Sequence, residues 1–97
     1  MSNGLLKLKE YGLFTFISTA QALKAERVLK DQGMDHLMIP TPREISTSCG
    51  LSIKVLPQNR ERCRMLLEVN QVTWERIYNI SRQGIELLVD GSETNNG

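Results

Sequence analysis

The sequence predicts an α+β fold of the ferredoxin-like type, in which an antiparallel sheet carries two helices on one face. Segments rich in aromatic and β-branched residues alternate with two segments of helical periodicity, in the order βαββαβ. The chain has 97 residues, enough for one domain with a modest core. Its apolar residues are 40% and its charged residues 24%, a composition typical of a globular protein.

The first strand and the first helix are predicted from an apolar run followed by a capping signal. Residues 11–17 are nearly all apolar, which indicates a central strand. Ser18 fits the N-cap of a helix, and Gln21, three residues later, would complete a capping box. The helix is predicted to run to about Gln32, with Gly33 ending it in a left-handed conformation. Its predicted buried stripe is Ala22, Ala25, Val28 and Leu29.

The remaining elements follow from periodicity and from turn residues. Residues 35–39 are predicted to form a short strand, and the alternation in 51–56 predicts a third strand with one drier face. A second helix is predicted over 60–70, a fourth strand over 74–80 and an additional edge strand over 85–89. The apolar stripe of the second helix is Cys63, Leu66 and Leu67.

Charge and composition exclude several classes of protein. The formal net charge is +1, so there is no electrostatic basis for binding nucleic acid or an anionic membrane. No apolar run approaches the ~20 residues that span a bilayer. Two cysteines do not make a disulfide scaffold, and we expect a cytoplasmic protein. Residues 1–10 are predicted to form a flexible arm, 11–90 a single domain and 91–97 a disordered tail.

The segment 40–50 is the candidate functional loop. It holds Cys49 between Ser48 and Gly50, six residues after Arg43. A thiolate is the nucleophilic form of cysteine, and a nearby cation such as Arg43 stabilises it. Ser48 adds a hydroxyl, and Gly50 has no side chain to shield the sulfur. The alternative is a structural cysteine that packs as a small hydrophobe, and the residues alone leave both interpretations open.

The expected topology brings this loop to the first helix. In the ferredoxin-like strand order 4-1-3-2, the start of the third strand lies beside the end of the first, so Cys49 should lie near Ser18 and Thr19. The N-terminus of a helix favours negative charge there. Cys63 is interpreted as a core residue, with a role as resolving partner less favoured. His36 is the only histidine, and no ligand spacing predicts a metal site.

Four short segments carry a family resemblance. They are Phe14–Leu23 (FTFISTAQAL), Ala25–Glu26 (AE), Ile39–Ile45 (IPTPREI) and Ser48–Leu51 (SCGL). With them the chain resembles, from about Tyr11 to Ile80, a family of small bacterial domains described as selenium/sulfur carrier protein-like. The resemblance implies a cytoplasmic domain associated with selenium metabolism. It implies that Cys49 carries sulfur or selenium from a donor protein to an acceptor protein, as a carrier without a cofactor rather than as an enzyme.

A second interpretation comes from a different class of protein. The chain would be a regulatory or assembly module whose segment 40–50 binds a small anion or a protein partner, with Cys49 serving only in packing. Domains of this fold often pair through sheet edges, so a homodimer is left open. The reactivity of the Cys49 thiol at neutral pH separates the two interpretations.

Overall fold

The computed structural model describes Leu5 and residues 8–91, which form a five-stranded sheet and two helices. No helix in this part of the chain is long and apolar enough to cross a membrane. The predicted arm and tail lie largely outside the described residues, although Leu5 is buried. The strands are β1 (Tyr11–Thr15), β2 (His36–Pro40), β3 (Leu51–Val55), β4 (Arg76–Ser81) and β5 (Gly84–Asp90); the helices are α1 (Thr19–Asp31) and α2 (Arg60–Val69), and a 3-10 turn (Pro57–Asn59) precedes α2.

The sheet is antiparallel throughout, with the strand order β2-β3-β1-β4-β5. This confirms the predicted α+β class and the antiparallel sheet. Strands β1 to β4 follow the order 4-1-3-2 used in the prediction, but β5, where an edge strand was expected over 85–89, extends the sheet beside β4. With five strands rather than four, the sheet is not that of the four-stranded ferredoxin-like sandwich. In the register, Thr15 pairs with Ser52 on one side and with Arg76 on the other. The end of β1 therefore meets the starts of β3 and β4.

Both helices pack on one face of the sheet. Their predicted apolar stripes are largely confirmed: Ala22, Ala25 and Leu29 of α1 and Cys63 and Leu67 of α2 are fully buried, while Val28 and Leu66 pack at the edge. They join apolar residues of the central strands in one core. The sheet and loop members of this core are Phe14, Phe16, Cys49, Ile53, Val55, Val72, Trp74 and Ile77.

The two ends of α1 are largely as the sequence predicts. The Ser18 hydroxyl accepts a hydrogen bond from the backbone amide of Gln21 at 3.2 Å, which confirms the N-cap. The other half of the predicted capping box is absent, because the Gln21 side chain instead accepts a hydrogen bond from the Thr73 amide at 2.8 Å. At the C-terminus Gly33 has a φ of +69°, and the Gly33 and Met34 amides donate back into the last turn as in a Schellman motif.

The opposite face of the sheet is covered by the connection between β2 and β3. This connection, residues 41–50, is here called the cysteine loop. Its Ile45 side chain packs with Leu13 and Tyr78. Ser52 and Lys54 of β3 are buried on this face, so the expectation of one drier and one wetter face is wrong. The Lys54 ammonium lies 4.2 Å from the centre of the Tyr11 ring, and burial lowers the pKa of Lys54.

Candidate functional site

The cysteine loop is closed at its base by Thr41. The Thr41 amide donates to the Gly50 carbonyl at 2.9 Å, which extends the β2–β3 pairing by one step. The Thr41 hydroxyl donates to the Cys49 carbonyl at 3.3 Å and lies 2.6 Å from the Ser52 hydroxyl, from which it can accept. These contacts fix the backbone of Cys49 where the chain enters β3.

Thr47 ties the middle of the loop to the end of β1 and to the start of β4. Its hydroxyl lies 2.9 Å from a carboxylate oxygen of Glu75 and 3.2 Å from the Phe16 carbonyl, both of which are acceptors. The same oxygen accepts from the Cys49 amide at 3.4 Å. A hydroxyl has one proton, so Thr47 donates to only one of these two acceptors at a time. The shorter contact, with the charged Glu75, is the stronger of the two.

Cys49 lies beside the N-terminus of α1, as the topological argument expects. Its Sγ is 3.9 Å from the hydroxyl of Thr19, the first residue of the helix. The Cys49 residue is only 3% exposed and belongs to the core on the helix side of the sheet. The sequence left open whether this cysteine is functional or structural, and its burial means that a reagent reaches the sulfur only after a local movement of the structure.

The other predicted site residues of the loop are on the surface. Arg43, Ser48 and Gly50 are exposed. Within the described part of the chain, the Arg43 guanidinium makes no hydrogen bond or ion pair, so its role beside the Cys49 thiolate stays a prediction. A Cβ on Gly50 would meet nothing within 4 Å, so an alanine would fit there.

A chain of charged groups continues from Thr47 to the edge of the sheet. Arg76 Nη1 lies 3.3 Å from a Glu75 carboxylate oxygen, and Arg76 Nε lies 3.3 Å from Asp90 Oδ2 at the end of β5. The hydrogen bond with Asp90 is the main cause that raises the pKa of Arg76. Sequence reasoning missed Glu75. Glu75 directly precedes β4, which pairs with β1, and this position is the sequence signal that could have indicated it.

The second cysteine and the histidine have structural partners. Cys63 is fully buried in α2, where burial raises the pKa of its thiol to about 11. Both cysteines are free. His36 Nδ1 donates to the Met34 carbonyl at 2.8 Å, and its Nε2 lies 3.0 Å from a Glu26 carboxylate oxygen. Among the described residues no group of three or more acidic, histidine or cysteine side chains could hold a metal ion.

Comparison with known proteins gives one match. The model of the family described as "Putative Se/S carrier protein-like" matches residues 11–79, which include β1 to most of β4 together with Cys49. The curated proteins contain no match to this chain, and neither do the solved structures. Since the family model covers well over half of the sequence, the chain belongs to the Se/S carrier protein-like family.

Proposed function

We propose that this protein carries sulfur or selenium on Cys49 between a donor protein and an acceptor protein. The observation that carries the proposal is the position of Cys49, in the family-matched region, with its sulfur 3.9 Å from Thr19 at the N-terminus of α1. That end of a helix stabilises negative charge, which develops on sulfur when a persulfide forms or is passed on. Two free cysteines suit the reducing cytoplasm, where we place the protein.

The transfer itself is a thiol exchange that balances without an oxidant. The Cys49 thiolate attacks the terminal sulfur of a persulfide on the donor protein. A new S–S bond forms at Cys49, the S–S bond of the donor breaks, and the donor cysteine leaves as a thiolate. A selenium atom in the terminal position follows the same course. The acceptor thiolate later attacks the terminal atom on Cys49, so the chain acts as a carrier without a cofactor rather than as an enzyme.

Access to the sulfur requires the cysteine loop to open. Cys49 is 3% exposed, while its neighbours Ser48 and Gly50 are exposed. The loop is held in place by the side-chain contacts of Thr47 and by the packing of Ile45 on the opposite face of the sheet, and neither residue lies in a helix or strand. A donor protein that binds the exposed loop residues can lift this segment without disturbing the sheet. Arg43 is then placed to attract the anionic sulfur group of the donor.

The test is loading by a cysteine desulfurase. Incubation with the desulfurase and cysteine should raise the intact mass of the wild-type protein by one sulfur atom, and a reductant should reverse the change. Cys49→Ser should gain no sulfur. Cys63→Ser is the matched control, since it removes the buried thiol of α2 and should load as the wild type does. Loading of Cys49→Ser to the same extent as the wild type would refute the proposal.

A second candidate function is favoured by the burial of Cys49. In this alternative the chain is a non-catalytic regulatory or assembly module, the cysteine loop binds a small anion or a protein partner, and Cys49 only packs against the core. Native thiol titration separates the two. A carrier shows one thiol that reacts at neutral pH, whereas a packing role leaves both thiols unreactive until the protein unfolds.

A further inference from the structure

Glu75 joins the cysteine loop to the segment that leads into β4. One of its carboxylate oxygens, Oε1, accepts from the Thr47 hydroxyl at 2.9 Å, and the other, Oε2, accepts from Arg76 Nη1 at 3.3 Å. The Glu75 side chain is mostly buried. Because Glu75 lies outside the helices and strands, the position of its carboxylate depends on the contacts that neighbouring segments make with it.

The end of β5 holds Glu75 through its backbone. The amide of Gly91, which directly follows β5, donates to the Glu75 carbonyl at 2.8 Å, and the Glu75 amide donates to the Thr15 carbonyl at the end of β1. A Cβ at position 91 would lie 2.8 Å from the Glu75 carbonyl oxygen and 2.9 Å from the Trp74 ring, so glycine permits this close approach. The backbone of Glu75 is therefore held between the ends of β1 and β5.

The end of β5 also holds the Glu75 side chain, through Arg76. Asp90 faces Arg76 across the β4–β5 pairing, and its Oδ2 lies 3.3 Å from Arg76 Nε. One planar guanidinium thus contacts two carboxylates, with Nε toward Asp90 and Nη1 toward Glu75. The Arg76 and Asp90 side chains are 28% and 17% exposed, so water only partly screens their ion pair. Because Asp90 fixes one edge of the guanidinium, the other edge stays directed at Glu75.

We propose that Asp90 is a positioning residue that controls access to Cys49. It acts through Arg76 on Glu75, which accepts from Thr47, and the Thr47 hydroxyl oxygen in turn accepts from the Cys49 amide at 3.4 Å. Without the Asp90 carboxylate the Arg76 side chain can turn toward water, Glu75 loses its fixed position, and the cysteine loop opens more often. The family match ends at residue 79, so this control comes from a strand outside the matched region. As a control on sulfur transfer, the inference rests on the proposed function.

The experiment measures alkylation of Cys49 in the native protein at neutral pH, with the fully buried Cys63 as the reporter of global unfolding. Asp90→Asn keeps the shape of the side chain and removes its charge. It should raise the Cys49 rate by about 1.4- to 5-fold, the size that one partly exposed ion pair provides, and leave the Cys63 rate unchanged. Arg76→Lys keeps the charge but loses the planar fork, and it should raise the Cys49 rate as well. Asp31→Asn removes an exposed carboxylate at the end of α1 and should change neither rate.

A double-mutant cycle with Thr47→Val separates positioning from a general loss of stability. If Asp90 acts through Glu75 and Thr47, Asp90→Asn should no longer change the Cys49 rate once the Thr47 hydroxyl is absent. The proposal is overturned if Asp90→Asn or Arg76→Lys leaves the Cys49 rate at the wild-type value, or if Asp31→Asn raises it equally. It is also overturned if Asp90→Asn raises the Cys63 rate in parallel, or has the same effect with and without the Thr47 hydroxyl.

This assay and the loading assay fail independently. Alkylation involves no sulfur donor, so unchanged alkylation rates would remove Asp90 from the control of the loop and leave the loading of Cys49 as proposed. A protein that gains no sulfur from the desulfurase would refute the proposed function and leave the alkylation rates to be judged by themselves.

Discussion

The hydroxyl of Thr47 is the contact that should most strongly control access to Cys49. It links the Cys49 amide to the Glu75 carboxylate and to the Phe16 carbonyl, and it belongs to the segment that must move before the sulfur is exposed. Thr47→Val keeps the shape of the side chain and removes these hydrogen bonds. We therefore expect the closed position of the loop to lose stability relative to the open one, while the sheet and helices keep theirs.

The size of the effect follows from the contact with Glu75. A hydrogen bond to a charged group contributes about 1.5–3 kcal/mol. The Glu75 side chain is 13% exposed, so solvent screens this contact little. If the loop opens and closes faster than the thiol reacts, the alkylation rate of Cys49 follows the population of the open state. At ~1.36 kcal/mol per factor of ten, Thr47→Val should raise that rate by about 10- to 150-fold.

The assay follows alkylation of both thiols at neutral pH by peptide mass spectrometry, in the native protein. Cys63 is the internal reporter of global unfolding, because it is fully buried in α2. Thr47→Ser keeps the hydroxyl and should react at nearly the wild-type rate. Ser46→Ala removes an exposed hydroxyl from the same loop and should change nothing.

Two results would refute this reasoning. Equal Cys49 rates in Thr47→Val and in the wild type would show that the Thr47 contacts do not hold the loop closed. A parallel rise in the rates of Cys49 and Cys63 would show that the substitution destabilises the whole domain rather than the loop.

Three further predictions concern the thiols and the glycines. In the folded wild type, Cys49 should be alkylated faster than Cys63, because the loop opens without unfolding and burial raises the pKa of Cys63 to about 11; equal rates would reverse the roles given to the two residues. Folding favours the neutral form of the Cys63 thiol, and this adds to the free energy of unfolding. The added stability is fully present below pH 9 and is lost as the pH rises to about 11, because the thiol ionises at a lower pH in the unfolded chain. Denaturant titrations should show this loss, about 2–3 kcal/mol, in the wild type and not in Cys63→Ala. Gly91→Ala should destabilise the fold by about 1–3 kcal/mol because its Cβ would lie 2.8 Å from the Glu75 carbonyl oxygen, whereas Gly50→Ala, with open space around it, should be nearly neutral in the same titrations.

Much of the scaffold could be predicted from local sequence signals. The Ser18 cap and the Gly33 terminator bound α1 as predicted, because both act through hydrogen bonds within a few residues. The position of Cys49 beside Thr19 followed from strand order alone.

What the sequence did not reveal depends on contacts between distant segments. Cys49 is buried because it packs into the core on the helix side of the sheet, beside Thr19. Ser52 and Lys54, on the opposite face of β3, are buried as well, although alternation predicted only one drier face. The contact between Thr47 and Glu75 joins residues 28 positions apart, and no local pattern marks it. Arg43 was favoured because it is near Cys49 in sequence, but it points to no partner in the described part of the chain.

The most direct test of the central claim follows one sulfur atom onto Cys49 and off again. The protein is loaded by a cysteine desulfurase with isotopically labelled cysteine, separated from the donor, and mixed with an excess of a small acceptor thiol such as glutathione. A carrier on Cys49 should return to its unmodified mass while the label appears as the persulfide of the acceptor. Label that never reaches Cys49, or that stays on the protein after the acceptor is added, would contradict the account.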